Sequence, residues 1–193
     1  MKTITDAKFE ASWTLFTENL EKAGIKEEIL SIPDIKEKMR RAAAATNEES
    51  GVAYPGALVS HINFLCAYAV SLSEITYTKK LLNLSQASLL KVCCLQHLSK
   101  IDWLVINDND FQLSKGINFK FVDDGINLRT GERSVLVALL QNILLLPEEY
   151  EAIVSIDKDR DDKFWQYCSP LSLLIKQANE MTSLCERKRQ IKQ

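Results

Sequence analysis

The sequence predicts an all-α fold with a small β-hairpin insertion near residues 117–129. Along most of the 193 residues, apolar side chains recur every three or four positions, which is the spacing of a buried helix face. Between residues 117 and 122 the period changes to two, and Asp124-Gly125 is a good tight-turn pair. The length favours one domain over residues 1–193, in which the helices of residues 1–46 pack on the core.

The first helix is predicted from Asp6 to Ala23, with Thr5 or Asp6 as its cap and Gly24 at its end. Spacings of four, three and four give it a single apolar stripe, formed by Phe9, Trp13, Phe16 and Leu20. The segments predicted after it are a short helix at 25–32, a helix at 34–46 that includes Ala42-Ala43-Ala44-Ala45, a loop at 47–56, a very apolar helix at 57–74, a linker or short helix at 77–84 and a helix at 86–101 that extends towards residue 105.

After the hairpin the helical pattern returns. Helices are predicted at 134–146, 148–154 and 172–189, with a solvated charged loop at 157–163. The last residues, 186–193, are highly charged and are expected to fray.

Composition excludes several classes of protein. The net charge of -2 and the pI near 5.8 give no general attraction to nucleic acid or to an anionic membrane. No apolar run approaches the roughly 20 residues of a membrane span, and the N-terminus has no signal-peptide core. Five cysteines, an odd number without a CxxC pair, fit reduced core residues. These features predict a cytoplasmic protein.

Five short motifs follow one another between about residues 42 and 186. They are Pro55-Gly56-Ala57-Leu58-Val59-Ser60-His61, Leu95-Gln96-His97-Leu98-Ser99-Lys100-Ile101, Thr130-Gly131-Glu132-Arg133-Ser134, the run at 147–153 and the run at 173–181. In this order they resemble the motifs of the HD-domain superfamily of metal-dependent phosphohydrolases. The resemblance implies an HD-domain-like helical bundle, in which active members bind one or two divalent metals that activate water and neutralise a phosphate.

The resemblance also implies that the metal site is degenerate. His61 is the only family ligand position that keeps its residue. Gln96 and His97 stand where the family has its signature His-Asp pair, Thr130 replaces a histidine, and Asn179 replaces the closing aspartate. In a loose alignment, Ile156 replaces a further histidine. Neutral amides are poor substitutes for imidazole or carboxylate ligands.

Seven residues are therefore expected to be remnants of a pocket: His61, Gln96, His97, Lys100, Thr130, Glu132 and Asn179. Gln96 and Asn179 are expected to hydrogen-bond each other or a water, since buried polar groups need partners. His61 and His97 are interpreted as core or vestigial pocket residues rather than working ligands. Lys100 is expected to contact an anion if a pocket survives, or to be solvated. Ser134 is expected to cap the following helix, and Glu132 is expected near its N-terminus.

The sequence leads to a catalytically inactive HD-like protein that keeps a binding or scaffolding role, without a cofactor. Its expected partner is a small anionic or nucleotide-like ligand, or another protein. One alternative is an active phosphohydrolase using Mn, Mg, Ni or Fe, in which His61 and His97 join a carboxylate such as Asp102, Asp123 or Glu132. Convergence of the two histidines on a carboxylate would favour that enzyme. Another alternative is a homo-oligomeric interaction module without a ligand.

Overall fold

The computed structural model describes residues 4–75, 84–159 and 163–191. Side chains are described up to residue 188. Helices are labelled α1 to α10 and strands β1 and β2: α1 (Asp6–Ala23), α2 (Lys26–Leu30), α3 (Ile35–Arg41), α4 (Ala57–Glu74), α5 (Gln86–Leu95), α6 (Lys100–Trp103), β1 (Leu104–Ile106), α7 (Asp110–Ser114), β2 (Phe119–Phe121), α8 (Thr130–Leu140), α9 (Pro147–Val154) and α10 (Pro170–Ile191). Short 3-10 turns lie at Glu48–Ser50, Ser155–Asp157 and Lys163–Gln166. The predicted all-helical class with a small antiparallel β pair is confirmed.

The apolar helix α4 lies at the centre of the bundle, against α1, α5 and α10. Its predicted bounds are confirmed at both ends, as are those of α1. In α1, Phe9, Phe16 and Leu20 are fully buried, and Gly24 ends the helix in the left-handed conformation that glycine adopts most easily. The predicted side-chain cap is wrong, because Thr5 occupies the capping position without a side-chain hydrogen bond.

The alanine run after α3 is not helical, whereas the sequence predicted helix to residue 46. Helix α3 ends at Arg41, and the backbone of Ala42 is already extended. The Ala42 carbonyl accepts hydrogen bonds from the amides of Gly56 and Leu58, and the Ala44 amide donates to Val52. Alanine's helix propensity is a weak preference, and these long-range bonds override it.

The second central helix is also shorter than predicted. Helix α5 ends at Leu95, and a turn over residues 96–99 leads into the single turn of α6. Ser134 of α8 holds this turn, since its hydroxyl donates to the Gln96 carbonyl and accepts from the Ser99 amide. The role predicted for Ser134 as a helix cap is therefore wrong, because α8 begins four residues earlier, at Thr130.

The small sheet uses only one of the two predicted strands. Phe119–Phe121 lies within the predicted hairpin, but it pairs antiparallel with Leu104–Ile106 rather than with residues 126–129. Phe119 and Leu104 are buried together with Ala43 and Ala53 in a small separate core. The turn at Asp124-Gly125 is followed by chain that forms no strand.

In the last third of the chain, α8 ends at Leu140 instead of residue 146, and α9 and α10 lie close to their predicted positions. Helix α10 continues past residue 186, where fraying was predicted. The predictions for residues 76–83 and 160–162 lie outside the described residues. Across the described part of the chain, no helix combines the length and apolar character needed to span a bilayer.

Candidate functional site

A cleft of about 400 Å³ opens where the loop of residues 44–52 faces helix α10. Four of the expected remnants line it, namely His61, His97, Lys100 and Asn179. Asn179 lines it from α10, one turn before Ser183 and two turns before Glu186. The cleft therefore gathers residues from α4, from the turn after α5, from α6 and from α10.

His61 is buried and is held by a carboxylate that the sequence motifs do not include. Its Nδ1 lies 2.9 Å from Oε2 and 3.1 Å from Oε1 of Glu186, which is also buried. An ionised carboxylate only accepts hydrogen bonds, so this contact places a proton on Nδ1 of His61. The pair fixes the orientation of the imidazole ring within the cleft.

His97 lies beside His61, with the two ring centroids 4.9 Å apart in an edge-to-face arrangement. Its Nε2 is 3.5 Å from Oδ1 of Asn179, at the limit of a hydrogen bond, and its buried Nδ1 has no partner among the described residues. Burial, followed by electrostatic interaction with Lys100 and with the neighbouring His61, holds the pKa of His97 well below its ordinary value of 6.5. His97 is therefore a neutral imidazole near neutral pH.

Lys100 brings a positive charge into the same cleft. Its Nζ donates a 2.5 Å hydrogen bond to the carbonyl of Ala44, which belongs to the alanine run after α3. Burial lowers the pKa of Lys100 to about 8, while the carboxylates of Asp157 and Glu186 act in the opposite direction. The ammonium group is thus charged at neutral pH but lies close to its titration range.

Gln96 belongs to a different cavity, of about 140 Å³. Its side chain is fully buried, and neither Oε1 nor Nε2 has a hydrogen-bond partner in the part of the chain that the structure describes. Asn179 lines both cavities, yet the predicted Gln96–Asn179 hydrogen bond does not form, since Asn179 faces His97 instead. Ile156, aligned with a family histidine, also lines this second cavity.

Thr130 and Glu132 lie in the first turn of α8 and form hydrogen bonds there. The Glu132 carboxylate accepts a 2.8 Å hydrogen bond from the Arg129 amide, which is the helix-start role that the sequence predicted. The Thr130 carbonyl accepts from the Ser99 hydroxyl and so ties α8 to the turn after α5. Neither residue lines the cleft or the Gln96 cavity.

The carboxylates considered for a rearranged site lie elsewhere. Asp102 forms an ion pair with Lys38, and Asp123 accepts a hydrogen bond from the Gly125 amide within a turn. The carboxylate that meets His61 is Glu186, which had been assigned to the frayed tail. One signal could have found it: Asn179, Ser183 and Glu186 recur at four and three positions, the spacing of one helix face.

The described residues contain no group of three or more His, Cys, Asp or Glu side chains placed to hold a metal ion. In the cleft itself, His61 uses Nδ1 for Glu186, and the cation of Lys100 lies nearby. The residues present therefore do not fit the family's metal centre as they are arranged. They offer instead an ammonium group, two imidazoles and an amide to a polar ligand.

The five cysteines are free, and Cys66, Cys93 and Cys94 are buried in the core. This burial fits the structural role predicted for them.

A comparison of the chain with known protein families, curated proteins and solved structures finds no significant match.

Proposed function

We propose that this chain is an HD-domain-like helical protein without metal-dependent catalysis, which binds a small ligand through an anionic group such as phosphate. The observation that carries the proposal is the position of Lys100, whose side chain lines an open cleft together with both histidines. A cation held in a partly buried site attracts an anion more strongly than a cation in bulk water does. A cytoplasmic location is part of the same proposal.

The chemistry of the cleft agrees with a binding role. Arg187 adds a second cationic side chain at the cleft, and Ser183 and Asn179 add neutral hydrogen-bonding groups. Two acidic residues also line the cleft, Glu49 and Glu186, and the carboxylate of Glu186 is engaged by His61. An anion next to Lys100 would therefore meet donors that are already positioned, which reduces the entropic cost of binding.

Two family positions support the absence of catalysis. Asn179, at the closing aspartate position, is neutral, and Thr130, at a histidine position, lies outside the cleft. Without anionic ligands a divalent cation loses its charge compensation. The fold would then keep the pocket but not the residues that coordinate a metal ion.

The test is calorimetric titration of the protein with inorganic phosphate and with pyrophosphate. We expect binding that weakens by about tenfold or more in Lys100→Met, because an ion-paired hydrogen bond to the anion is removed. Lys22→Met makes the same charge change on an exposed face of α1 and is expected to leave the affinity unchanged. Equal affinities in wild type and Lys100→Met would contradict the proposal.

The pH dependence provides a second readout. Because the pKa of Lys100 is about 8, the ammonium group loses its proton as the pH rises through that value. Anion affinity is expected to fall between pH 7 and 9 in the wild type. The same titration in Lys100→Met should show a flatter profile.

The second candidate function is an active metal-dependent phosphohydrolase with a rearranged site. It is favoured by one observation, the meeting of His61, His97 and Glu186. The check is metal analysis of protein purified without chelator, together with phosphatase and phosphodiesterase assays in manganese, magnesium and nickel. Stoichiometric metal, with turnover that His61→Ala abolishes, would replace the binding proposal by this one.

A homo-oligomeric module remains a further prediction. A run of exposed leucines favours it, at Leu136, Leu139 and Leu140 of α8 and at Leu144 and Leu146 beyond it. Light scattering of the purified protein measures the oligomeric state directly.

A further inference from the structure

His61 and Glu186 have the arrangement of a nucleophilic side chain and its orienting carboxylate. We propose that Nε2 of His61 takes up a phosphoryl group from an acyl phosphate and so forms a phosphohistidine. The proposal rests on the anion site at Lys100, to which it adds a chemical step and a class of substrate. The side chains that this step uses all line the cleft.

The first observation is which nitrogen of His61 is free to react. Nδ1 donates its proton to the Glu186 carboxylate at 2.9 Å, and in a neutral imidazole the other nitrogen then carries the lone pair. Among the described residues Nε2 has no hydrogen-bond partner, and the fully enclosed atoms that lack a partner there do not include it. Nε2 is therefore accessible from the cleft that His61 lines.

Glu186 also compensates the charge of the product. Once Nε2 is bonded to phosphorus while Nδ1 keeps its proton, the imidazole ring is positively charged. His61 and Glu186 are both buried, and an unpaired charge in such a site is costly. The carboxylate beside Nδ1 is placed to neutralise the ring. Glu186 is therefore a positioning residue, which selects the nitrogen that reacts and stabilises the product.

The second observation is the presence of cations beside this nucleophile. Lys100 and Arg187 line the same cleft. The ring of His97, whose centroid lies 4.9 Å from that of His61, interacts electrostatically with both His61 and Lys100. The Lys100 ammonium group also interacts with the carboxylate of Glu186. The cation that attracts an anion and the nitrogen that can attack it thus lie within electrostatic range of each other.

This combination favours a phosphoryl group over other anions. A free carboxylate is a poor electrophile, whereas an acyl phosphate has both anionic oxygens for a cation to bind and a P–O bond that can break. The lone pair of Nε2 forms the N–P bond, and the electron pair of the P–O bond leaves with the carboxylate product. No proton is needed for that departure, because a carboxylate is a weak base. Lys100 and Arg187 would stabilise the charge on the phosphoryl oxygens during the transfer.

The experiment incubates the protein with acetyl phosphate in the presence of a chelator, so that no divalent metal takes part. The chain has two histidines, His61 and His97, which makes the assignment simple. Phosphorus NMR is expected to show a histidine phosphorylated at Nε2, with a signal that persists in base and disappears in acid. Labelling should be at least about tenfold faster in the folded protein than in urea, because only the folded cleft holds the donor beside the ring.

Two variants locate the reacting group. His61→Gln has no nucleophilic nitrogen and should abolish the signal, whereas Lys22→Met, on an exposed face of α1, should leave it unchanged. If His61→Gln does not fold, fragmentation mass spectrometry of the labelled wild type at alkaline pH identifies the phosphorylated residue.

A third variant, Glu186→Gln, separates the transfer step from binding. A neutral amide cannot neutralise the charged ring, so the rate of labelling should fall on the order of a hundredfold. The affinity for inorganic phosphate, measured by calorimetry, should not fall with it. An unchanged labelling rate would show that Glu186 has no part in the transfer and would overturn its assignment as the positioning residue.

The inference itself is overturned if the folded protein forms no phosphohistidine, if the phosphoryl group is on His97, or if folded and unfolded chains are labelled equally fast. Phosphate binding without phosphohistidine formation would remove this inference alone. Equal phosphate affinities in wild type and Lys100→Met would instead remove the binding proposal on which it rests.

Discussion

Two voids meet at Asn179, and they differ in how their buried polar groups are paired. On the cleft side, the Nδ1 of His61 is bonded to Glu186 and the Nζ of Lys100 to a backbone carbonyl. On that side the buried Nδ1 of His97 is the atom without a partner among the described residues, whereas on the other side both ends of the Gln96 amide lack one. The cleft side therefore has most of its buried polar groups paired, and the Gln96 side chain has neither of its polar ends paired. The difference teaches that two consecutive residues, Gln96 and His97, lie in two different environments.

The separation begins with two consecutive residues. Gln96 and His97 follow the last turn of α5, where neighbouring side chains point about 100° apart. Gln96 therefore lines one cavity and His97 the other. Each prediction below tests one side of this contrast, in order of decreasing expected effect.

The largest effect is expected from a substitution that forces the loop of residues 44–52 away from α10. Gly51 has a φ of 81°, and a Cβ added there would lie 2.6 Å from the carbonyl oxygen of Glu186. Gly51→Ala combines left-handed strain with a clash between the loop and α10, so we expect it to lower the free energy of unfolding by roughly 2–4 kcal/mol. Urea denaturation measures this change.

The control for this substitution is Gly24→Ala. Gly24 also has a positive φ, of 70°, but a Cβ added there would meet no atom within 4 Å. Gly24→Ala should lower the free energy of unfolding by only about 1 kcal/mol, because it introduces backbone strain without a clash. Equal losses in the two variants would mean that the contact of Gly51 with α10 contributes nothing.

The next effect concerns the paired side of the comparison. Glu186→Ala leaves the buried Nδ1 of His61 without its acceptor, and we expect a loss of about 2 kcal/mol in the free energy of unfolding. Glu186→Gln keeps an acceptor oxygen and should recover at least half of that loss. Thermal and urea unfolding of the two variants provide the measurement, and equal losses would show that the charge, not the hydrogen bond, matters.

A smaller effect of opposite sign is expected on the unpaired side. Gln96→Met removes two unpaired polar atoms and fills similar space, so the free energy of unfolding should rise by about 1 kcal/mol. Urea unfolding with Gln177→Met as the matched surface control tests this. A loss of stability in Gln96→Met would indicate that the amide is already satisfied, and would remove the contrast between the two voids.

The smallest effect is expected in the pH dependence of stability. His97 has a pKa well below 6.5 in the folded protein, so the unfolded chain takes up the proton first as the pH falls. Stability is therefore greatest above pH 6.5, and His97 should account for a decrease of at most about 1 kcal/mol between pH 6.5 and 5.5. His97→Gln should flatten the profile in this window, as measured by urea unfolding at several pH values. An unchanged slope would show that His97 is protonated as easily in the folded state as in the unfolded one.

Local patterns were sufficient for the long helices but not for their junctions. The bounds of α1 and α4 followed from apolar periodicity and a terminal glycine. The alanine run, by contrast, was predicted as helix from propensity. It is not helical, because its carbonyls accept hydrogen bonds from residues 56, 58 and 100. Hydrogen bonds to residues distant in sequence cannot be predicted from a local sequence pattern.

The candidate site was predicted in the same partial way. His61, His97, Lys100 and Asn179 do line one cleft, whereas Gln96 faces another and Glu132 caps a helix. Glu186 was missed, because its charged neighbours suggested a solvated tail. Its burial depends on α10 packing against α4, which brings residues 61 and 186 together over 125 positions of sequence.

By itself, the sequence determined the helical class, the central apolar helix and the residue types available for chemistry. These properties depend on periodicity and on side-chain identity, which are local. The tertiary structure alone decided that Glu186 holds His61, that Leu104–Ile106 pairs with Phe119–Phe121, and that Gln96 and His97 face different voids. Such contacts depend on where distant segments meet, and that is settled only when the whole core packs.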